Sequence, residues 1–453
     1  MRITLVFPRY KYPSGDPPLG LAYLASYVRE STDIKVEIID TTFGKSEKAL
    51  ASKLKKGNYD LLGIYSNITF IKYALQVAEL SKKLNPNKKV IIGGPFATVM
   101  PKETLENSFV DAIAIGEGEQ TLYDLIKNDL RFKGVRGLWY KDGDKIKINP
   151  PRKPIKNLDS IPFPARDLLP MKKYIRHWFQ LDSVSLNLKG THIIGLRGCP
   201  YNCTFCQPTL RKIFGPGIRL RSPENIIEEL LHLKKEYKIN SFIFEDDTFI
   251  INQKWVEEIC KRMTEEGLDL LWGCNVRANL VNESLLEKMK RAGLVKVYIG
   301  IESLSQRILD TVYDKRITIN QIKKSIIIAK KLGLKTQGYF MLGAPTETLR
   351  EVESTIKFAK ESDLDEAMFS ITTPIPGTRL YEKTKSLIES NPNGFDYYKN
   401  YVFKDSPSRK KSIMFLKKKA YLEFYLSPKR AHQTIKMFNP LIVHRTMNKL
   451  KRL

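Results

Sequence analysis

Three cysteines, Cys199, Cys203 and Cys206, stand close together in the middle of the chain. They follow an apolar stretch, His192–Leu196, that predicts a β-strand, so their thiolates should project from a loop at its C-terminal end. Three thiolates on one loop can ligate three irons of a cubic iron–sulfur cluster, which leaves the fourth iron an open coordination site for a reacting molecule. The alternatives are a structural zinc site, which usually has four ligands, and three unrelated cysteines.

The spacing of these cysteines resembles the motif of the radical S-adenosylmethionine (SAM) superfamily. Three residues separate the first two cysteines, two separate the second and third, and an aromatic residue, Phe205, precedes the last. The resemblance implies a 4Fe–4S cluster whose open iron chelates SAM, with Phe205 among the SAM-binding residues. An electron from the reduced cluster then yields a 5′-deoxyadenosyl radical. In such an enzyme the cofactors supply the radical chemistry, while the protein orients them and excludes side reactions.

Acidic residues follow the next predicted strand, Ser241–Phe244, at Glu245, Asp246 and Asp247. Members of the superfamily place here a loop that receives the methionine ammonium group of SAM, commonly with the sequence Gly-Gly-Glu. The resemblance therefore assigns the position of these residues to SAM and leaves their side-chain roles open. The alternative is that adjacent carboxylates at a strand end cap the following helix.

Three further residues at strand ends are candidates for SAM binding, namely Arg277, Glu302 and Gly343. An acidic residue at the end of an apolar strand is costly unless it is paired or faces a ligand, which singles out Glu302. Arg277 could pair with Glu302 or with the carboxylate of SAM, and a purely structural Arg–Glu pair is the alternative. Gly343 begins a Gly-Ala-Pro turn where an adenine ring could lie against the backbone.

The elements that must position these residues form an α/β pattern. Residues 186–385 alternate six predicted strands with helices, which suits a partial (β/α)6 barrel whose site lies at the C-terminal strand ends. Residues 1–150 also alternate strands and helices, which predicts a doubly wound, Rossmann-like parallel sheet. A proline-rich linker is predicted for 151–185, and a basic helical extension for 386–453.

Glycine-rich turns follow three predicted strands of the first domain and resemble the cobalamin-binding branch of the superfamily, which includes anaerobic magnesium-protoporphyrin ester cyclases and hopanoid methylases. Such strand ends border the ligand crevice of open α/β sheets. The resemblance implies cobalamin binding by Pro17, Leu19, Gly20, Ser66, Asn67, Gly93, Gly94, Gly116, Glu117 and Gly118. Since the first 150 residues contain no histidine, any bound cobalamin must lack a histidine ligand from this domain. The alternative is a degenerate module kept for packing or substrate binding.

Charge is concentrated at the C-terminus of this 453-residue chain of net charge +27. Residues 409–453 contain 13 Lys or Arg and a single acid, interleaved with apolar residues, a pattern that suits an anionic membrane surface. A helical cap with solvated lysines is the alternative, and nucleic-acid binding lacks a recognition module. The odd number of cysteines and the absence of a signal-peptide pattern predict a cytoplasmic protein, with peripheral membrane contact through the basic C-terminus.

Together these features predict a radical SAM enzyme that functionalises an unactivated C–H carbon. The leading hypothesis is cobalamin-dependent methyl transfer to a lipid or another anabolic small molecule, with electrons from a donor such as ferredoxin or flavodoxin. Ring formation or rearrangement without methyl transfer is the alternative. A hypothesis of another class is a non-catalytic cobalamin or cluster sensor, which would make no 5′-deoxyadenosine.

Overall fold

The computed structural model describes residues 1–10, 14–44, 47–206, 208–389, 395–398 and 400–430. The chain forms two compact units. The first comprises Met1–Tyr174 with Pro208–Leu220, and the second comprises Ile175–Gln207 with Arg221–Leu453.

The first unit is built on a seven-stranded sheet with the order β2-β1-β3-β4-β5-β6-β7. Its first five strands are parallel, and the last two run antiparallel. The chain reverses its direction of winding between β1 and β3, which is where ligands bind in doubly wound sheets. The strands are β1 Arg2–Phe7, β2 Lys35–Asp40, β3 Leu61–Tyr65, β4 Lys89–Gly93, β5 Ala112–Ala114, β6 Leu138–Asp142 and β7 Lys145–Ile148.

Helices cover both faces of this sheet. Helix α1 packs with α6, and α2 packs with α3. Because the strand order reverses between β1 and β3, right-handed crossovers place these two pairs on opposite faces of the sheet. The core strands are almost continuously apolar because both of their faces are buried, as in β1, where five of six residues are buried. The helices are α1 Leu19–Ser31, α2 Glu47–Lys55, α3 Ile71–Leu84, α4 Pro95–Val99, α5 Pro101–Glu106 and α6 Glu119–Lys127.

The β6–β7 hairpin is absent from the sequence interpretation. It turns at Gly143, whose φ of 60° is a left-handed conformation that glycine adopts without strain. Its second strand is exposed throughout, so it lacks the buried apolar run by which the other strands were recognised. The Asp-Gly pair at the turn was the available signal.

The second unit contains a six-stranded, wholly parallel sheet with the order β8-β11-β12-β13-β14-β15. Neighbours in this order follow one another in the chain, as in a partial barrel, which confirms the six predicted strands. The predicted strand at 192–196 is instead two short strands. The strands from this point are β8 Gly190–Ile193, β9 Leu196–Arg197, β10 Arg219–Leu220, β11 Ser241–Phe244, β12 Leu271–Val276, β13 Leu294–Glu302, β14 Lys335–Leu342 and β15 Glu366–Ile371.

Most helices of this half begin at a side-chain cap that satisfies free backbone N–H groups. Ser222, Asn252, Asn282, Thr318 and Thr348 each accept a hydrogen bond from the first turn of the following helix. The remaining helices are α7 Met171–His177, α8 Pro208–Phe214, α9 Pro223–Tyr237, α10 Gln253–Glu265, α11 Glu283–Arg291, α12 Ile319–Lys331, α13 Leu349–Glu361, α14 Arg379–Thr384 and α15 Pro407–Tyr425. The described helices include none long and apolar enough to cross a membrane.

Helix α15 covers the edge strand of the partial barrel. The Tyr421 hydroxyl accepts a hydrogen bond from Phe369 N (3.0 Å) and donates one to Phe369 O (3.1 Å). The Tyr425 hydroxyl does the same for Ala367 N (3.3 Å) and O (3.0 Å). Two tyrosines thus satisfy backbone groups that an edge strand would leave unpaired. The cap interpretation therefore holds for this helix, whereas residues 431–453 of the predicted helical extension lie outside the described residues.

Candidate functional site

The three cysteines lie on one loop, residues 199–206, which we call the cysteine loop. Cys199 is buried, and Cys203 and Cys206 are half-buried. Burial raises the pKa of the Cys199 and Cys206 thiols, so a bound cation is needed to hold them as thiolates. In the described part of the chain, no three His, Cys, Asp or Glu side chains converge on a single metal ion. A cubic cluster needs no such convergence, because each thiolate binds a different iron, whereas a zinc site does.

The backbone of the cysteine loop is tied to two later segments. Thr204 N donates to Tyr313 O (2.9 Å), and Leu380 N donates to Thr204 O (2.8 Å). Arg379 Nη1 donates to Asn202 O (2.8 Å). Tyr313 directly follows a π-helix, Ile308–Val312, an irregularity that often occurs at functional sites. The loop is therefore held in shape by contacts from distant parts of the second unit.

Two buried cations flank the loop. Arg277 Nη1 lies 3.5 Å from Cys203 Sγ, and its guanidinium carbon lies 3.8 Å from the centroid of the Tyr201 ring. Lys315 Nζ lies 5.8 Å from the centroid of the Phe205 ring, and its charge lowers the pKa of Cys206 against the dominant effect of burial. Positive charge beside three thiols suits a site for an anionic, thiolate-bound cluster, so the residues present fit that group.

The three acidic residues after β11 have different environments. Asp246 is buried and accepts hydrogen bonds from Gly195 N (3.0 Å) and Leu196 N (2.6 Å), while burial raises its pKa to about 7. Asp246 therefore ties β11 to the chain after β8. Burial also raises the pKa of Asp247 to about 6, although the residue keeps part of its surface exposed. Glu245 is exposed, with Oε2 3.6 Å from Nε2 of His192.

The helix-capping alternative for these acids is wrong. The side chain of Asn252 caps α10 by accepting a hydrogen bond from Trp255 N (3.1 Å). The carboxylates lie before this cap, and the charge of Asp247 raises the pKa of both Cys199 and Cys206, after the larger effect of burial.

Glu302 is paired, but with a residue that the sequence interpretation did not consider. Its Oε1 accepts from Lys315 Nζ (2.6 Å), and both side chains are about nine-tenths buried. A Cβ on Gly300 would lie 2.8 Å from each of these two atoms, so glycine makes room for the pair. Glu302 also has a φ of 66° at a β-bulge, a strained conformation of the kind found at ligand sites. The predicted Arg277–Glu302 pair is therefore not formed.

The turn after β14 is held by a second residue missed in the sequence. Gly343 has a φ of 78°, and its N–H and that of Ala344 donate to Glu347 Oε2 at 2.8 and 2.9 Å. Glu347 is buried, which raises its pKa to about 7. A carboxylate four residues after a turn glycine was the available signal. Gly343 thus lies in a turn of fixed shape at a strand end.

The inner face of the sheet is filled near the strand beginnings. Trp178 and Leu181 pack with Ile243 and Tyr298, and a Cβ on Gly190 would lie 2.5 Å from the Trp178 ring. Lys296, at the start of β13, donates to Gln180 O (3.0 Å) and Glu366 Oε1 (2.6 Å). The segment after α7 therefore closes this end of the partial barrel.

Toward the strand ends the same face is more open. Tyr339 packs against the filled end, and Met341, two residues later, shares its side of the strand. Met368 is the partner of Tyr339 on β15. Tyr339, Met341 and Met368 are only half-buried. Phe340 and Leu342, which alternate with Tyr339 and Met341 along β14, are buried. Toward its C-terminal strand ends this face therefore carries apolar side chains that are only partly buried.

The predicted cobalamin residues of the first unit lie at the C-terminal ends of its parallel strands. Ser66 and Asn67 follow β3, and Gly94 follows β4 with a φ of 94°. Beside Gly20 an added Cβ would meet no atom within 4 Å, and beside Gly116 only Ile213 O at 3.8 Å. This edge thus has exposed backbone with room for a large flat group, so the residues fit cobalamin. The other members placed here are Pro17, Leu19, Gly93 and Gly118.

Several of these residues also have structural partners. Gly94 packs against Ser66, whose carbonyl oxygen would lie 2.7 Å from an added Cβ. Asn67 Oδ1 accepts from Phe70 N (2.9 Å) at the start of α3. Glu117 is buried, accepts from Ile155 N (2.7 Å) and forms a two-point ion pair with Arg219 (2.9 and 3.0 Å). The Glu117 carboxylate therefore organises the unit itself.

Comparison with known proteins places both units. The sequence matches the radical SAM superfamily over residues 193–359 and the B12 binding domain over residues 12–126. An uncharacterized methyltransferase of Pyrococcus horikoshii is 40% identical, over 100% of this chain and 98% of the relative. The chain belongs to the radical SAM enzymes that carry a B12 binding domain. The anaerobic magnesium-protoporphyrin IX monomethyl ester cyclase of Rubrivivax gelatinosus is 30% identical, over 89% of this chain and 73% of the cyclase.

Solved structures share the fold. The cobalamin-dependent SAM radical enzyme OxsB superposes with a TM-score of 0.76 at 19% identity, covering 99% of this chain and 71% of that one. The radical SAM methyltransferase TsrM of Kitasatospora setae gives 0.71 at 18% identity, covering 85% and 78%. The predicted family and fold class are thereby confirmed. The domain matches also confirm the predicted cofactors, a 4Fe–4S cluster and SAM in the second unit and cobalamin in the first.

Proposed function

We propose that this enzyme transfers a methyl group to an unactivated carbon of a small molecule with a large apolar part. The observation that carries the proposal is the cysteine loop with Arg277 beside it, in the unit whose parallel sheet carries half-buried Tyr339, Met341 and Met368 toward its strand ends. When bound, the reduced cluster supplies the electron that cleaves SAM, and cobalamin carries a methyl group. The protein's part is to hold these groups, orient the substrate carbon and keep water away.

In this proposal SAM lies across the strand ends of the second unit. Gly343 is not open to an adenine ring on its α-carbon side, because Tyr401 and Ile413 fill that space and its N–H donates to Glu347. Asp247 is the carboxylate that we assign to the methionine ammonium group, because Asp246 is already bound to backbone and Glu245 lies 3.6 Å from His192. Phe205 packs edge-on against Tyr313 with centroids 5.0 Å apart, and so it helps to fix the loop from which the cysteines project.

The half-buried apolar side chains near the strand ends support an apolar substrate. Tyr298 and Tyr339 stack with centroids 6.2 Å apart at 13°, and Met341 and Met368 are half-buried beside them. Stacked aromatics and flexible methionines favour a flat or lipid-like group over a highly charged one. The relatives include tetrapyrrole enzymes, such as a bacteriochlorophyllide d C-8(2)-methyltransferase of Chlorobaculum tepidum. Ring formation remains the second candidate because the Rubrivivax gelatinosus relative is a cyclase.

The test is anaerobic turnover with cobalamin, a reductant and candidate lipids and tetrapyrroles. SAM with a deuterated methyl group should give a product heavier by one labelled methyl in place of hydrogen. A product lighter by two hydrogens, with no label, would replace methyl transfer by cyclisation. Tyr339→Ala should weaken substrate binding without changing cluster absorbance, and Ile327→Ala, on the exposed face of α12, is the matched control.

We further propose that the cluster receives its electron from an external one-electron donor such as ferredoxin or flavodoxin.

We also propose that the protein contacts an anionic membrane through α15. One face of that helix stays exposed and combines Lys411, Phe415, Lys418 and Leu422, and Leu426 directly after the helix is exposed as well. Phe415 is 65% exposed, and Leu422 is 59% exposed. Each lysine near an anionic bilayer contributes about 1 kcal/mol, and the apolar side chains can enter the interface.

Vesicle co-sedimentation tests this contact. Intact protein should bind phosphatidylserine vesicles at low salt and leave them as salt is raised, since the attraction is screened over roughly 8 Å at physiological salt. The change of Phe415 and Leu422 to serine should weaken binding, whereas the same change at Ile327, 63% exposed on α12, should not. If intact protein ignores anionic vesicles at low salt, helix α15 serves only to cap the barrel.

A further inference from the structure

Arg277 carries a buried charge with an unusual set of contacts. It lies directly after β12 and is 7% exposed. One face of its guanidinium stacks on Tyr201, and Nη1 points to Cys203 Sγ at 3.5 Å. Its Nε is buried and meets no hydrogen-bond acceptor among the described residues. The side chain is thus fixed against the cysteine loop with part of its donor capacity unused.

The two cations of the site differ in how their charge is compensated. Lys315 is neutralised by Glu302 at 2.6 Å. Arg277 forms no ion pair with a carboxylate of the described residues, and its nearest recorded polar partner is a thiol sulfur. A buried guanidinium stays charged and is costly unless a negative group balances it. A cluster held by three thiolates is anionic and gains a further negative charge on reduction, so it can supply that balance.

We propose that Arg277 is a positioning residue that sets the reduction potential of the cluster. Its N–H group donates to the Cys203 sulfur, and its charge favours the reduced over the oxidised cluster. Hydrogen bonds to cluster sulfurs and nearby charge are general determinants of such potentials. Tyr201, two residues before Cys203, holds the guanidinium plane in place. The inference rests on the cluster of the proposed function and is independent of the substrate.

A role confined to SAM is the competing explanation, because an arginine at a strand end can also bind the SAM carboxylate. The two roles separate when SAM is absent. A residue that only binds SAM leaves the potential of the SAM-free cluster unchanged when it is removed. A residue that acts on the cluster shifts that potential whether or not SAM is present.

The experiment is a potentiometric titration of the SAM-free holoenzyme, followed by the electron paramagnetic resonance signal of the reduced cluster. Arg277→Gln should lower the ratio of reduced to oxidised cluster at least tenfold at a fixed potential, a shift of about 59 mV to more negative values. Arg350→Gln is the matched control, because Arg350 is exposed on α13 and has no described side-chain contact with the loop. Its titration should follow the wild type. An unchanged Arg277→Gln curve would overturn the proposal.

A second measurement covers the case in which Arg277→Gln assembles no cluster. Wild-type holoenzyme containing ¹⁵N-arginine should show hyperfine coupling between the reduced cluster and a guanidinium nitrogen. The coupling should persist in labelled Arg350→Gln and vanish in labelled Arg277→Lys. If labelled wild-type protein shows no nitrogen coupling, Arg277 does not donate to a cluster ligand and the inference fails. If labelled wild-type protein shows the nitrogen coupling but transfers no methyl group, that result counts against the proposed function and not against the inference about Arg277.

Discussion

The Glu302–Lys315 pair can be tested by removing its partners one at a time and then together. Both side chains are about nine-tenths buried, and their charged atoms are 2.6 Å apart. Lys315→Met leaves a buried carboxylate without its partner, which should lower the free energy of unfolding by about 3–5 kcal/mol. Glu302→Gln should cost a similar amount, because it leaves the lysine charge unbalanced.

The double variant is expected to be more stable than the sum of the single losses predicts. Removing both charges leaves no unbalanced ion. The double-mutant cycle should therefore show a coupling energy of about 1–3 kcal/mol between the two residues. Lys261→Met is the control, since Lys261 pairs with Glu265 at 3.8 Å while both side chains are more than half exposed. That change should cost under about 1 kcal/mol.

Urea unfolding of the cluster-free protein, followed by tryptophan fluorescence, provides the measurement. Three of the four tryptophans, Trp178, Trp255 and Trp272, belong to the second unit, so the signal reports mainly on the unit that contains the pair. Additive losses in the double variant would refute the reasoning. A Lys315→Met variant as stable as the Lys261→Met control would refute it too.

Three further predictions concern stability and cofactor binding. Tyr425→Phe leaves the backbone of Ala367 without its hydroxyl partner and should lower the free energy of unfolding in urea by about 1–3 kcal/mol. An unchanged free energy of unfolding would mean that these backbone groups do not depend on the Tyr425 hydroxyl. Burial raises the pKa of Asp246 to about 7, so the native protein should lose stability as pH rises from about 4 to 7, by at most about 4 kcal/mol. Asp246→Asn should remove this loss, and equal slopes of melting temperature against pH in variant and wild type would contradict it. Protein purified without oxygen should bind cobalamin in a base-off form without a protein histidine ligand, and a histidine-ligated cobalt spectrum or no uptake would oppose this.

The sequence was most informative where a signal is local. The cysteine spacing, the apolar periodicity of the strands and the glycines after them need no knowledge of distant residues, and the six strands of the second unit were found that way. Asn252 was missed as the cap of α10 because carboxylates nearby offered an equally local explanation.

What could not be predicted depends on residues far apart in the chain. Lys315 reaches Glu302 only because a β-bulge and Gly300 turn the carboxylate toward it. Trp178 was assigned to a linker because its place inside the barrel is created by Gly190 on a later strand. The hydroxyl of Tyr425 meets β15 across 58 residues, and no pattern within the helix reveals that contact.

The central claim is that three cysteines hold a cluster that cleaves SAM. The most direct test is 5′-deoxyadenosine formation by anaerobically reconstituted protein under a low-potential reductant, compared with single alanine variants at Cys199, Cys203 and Cys206 and with Cys260→Ala, a buried cysteine of α10 outside the loop. Wild type and Cys260→Ala should show cluster absorbance and form 5′-deoxyadenosine, and each loop variant should lose both. Full activity in any loop variant, or no 5′-deoxyadenosine from wild-type protein carrying its cluster, would contradict the account.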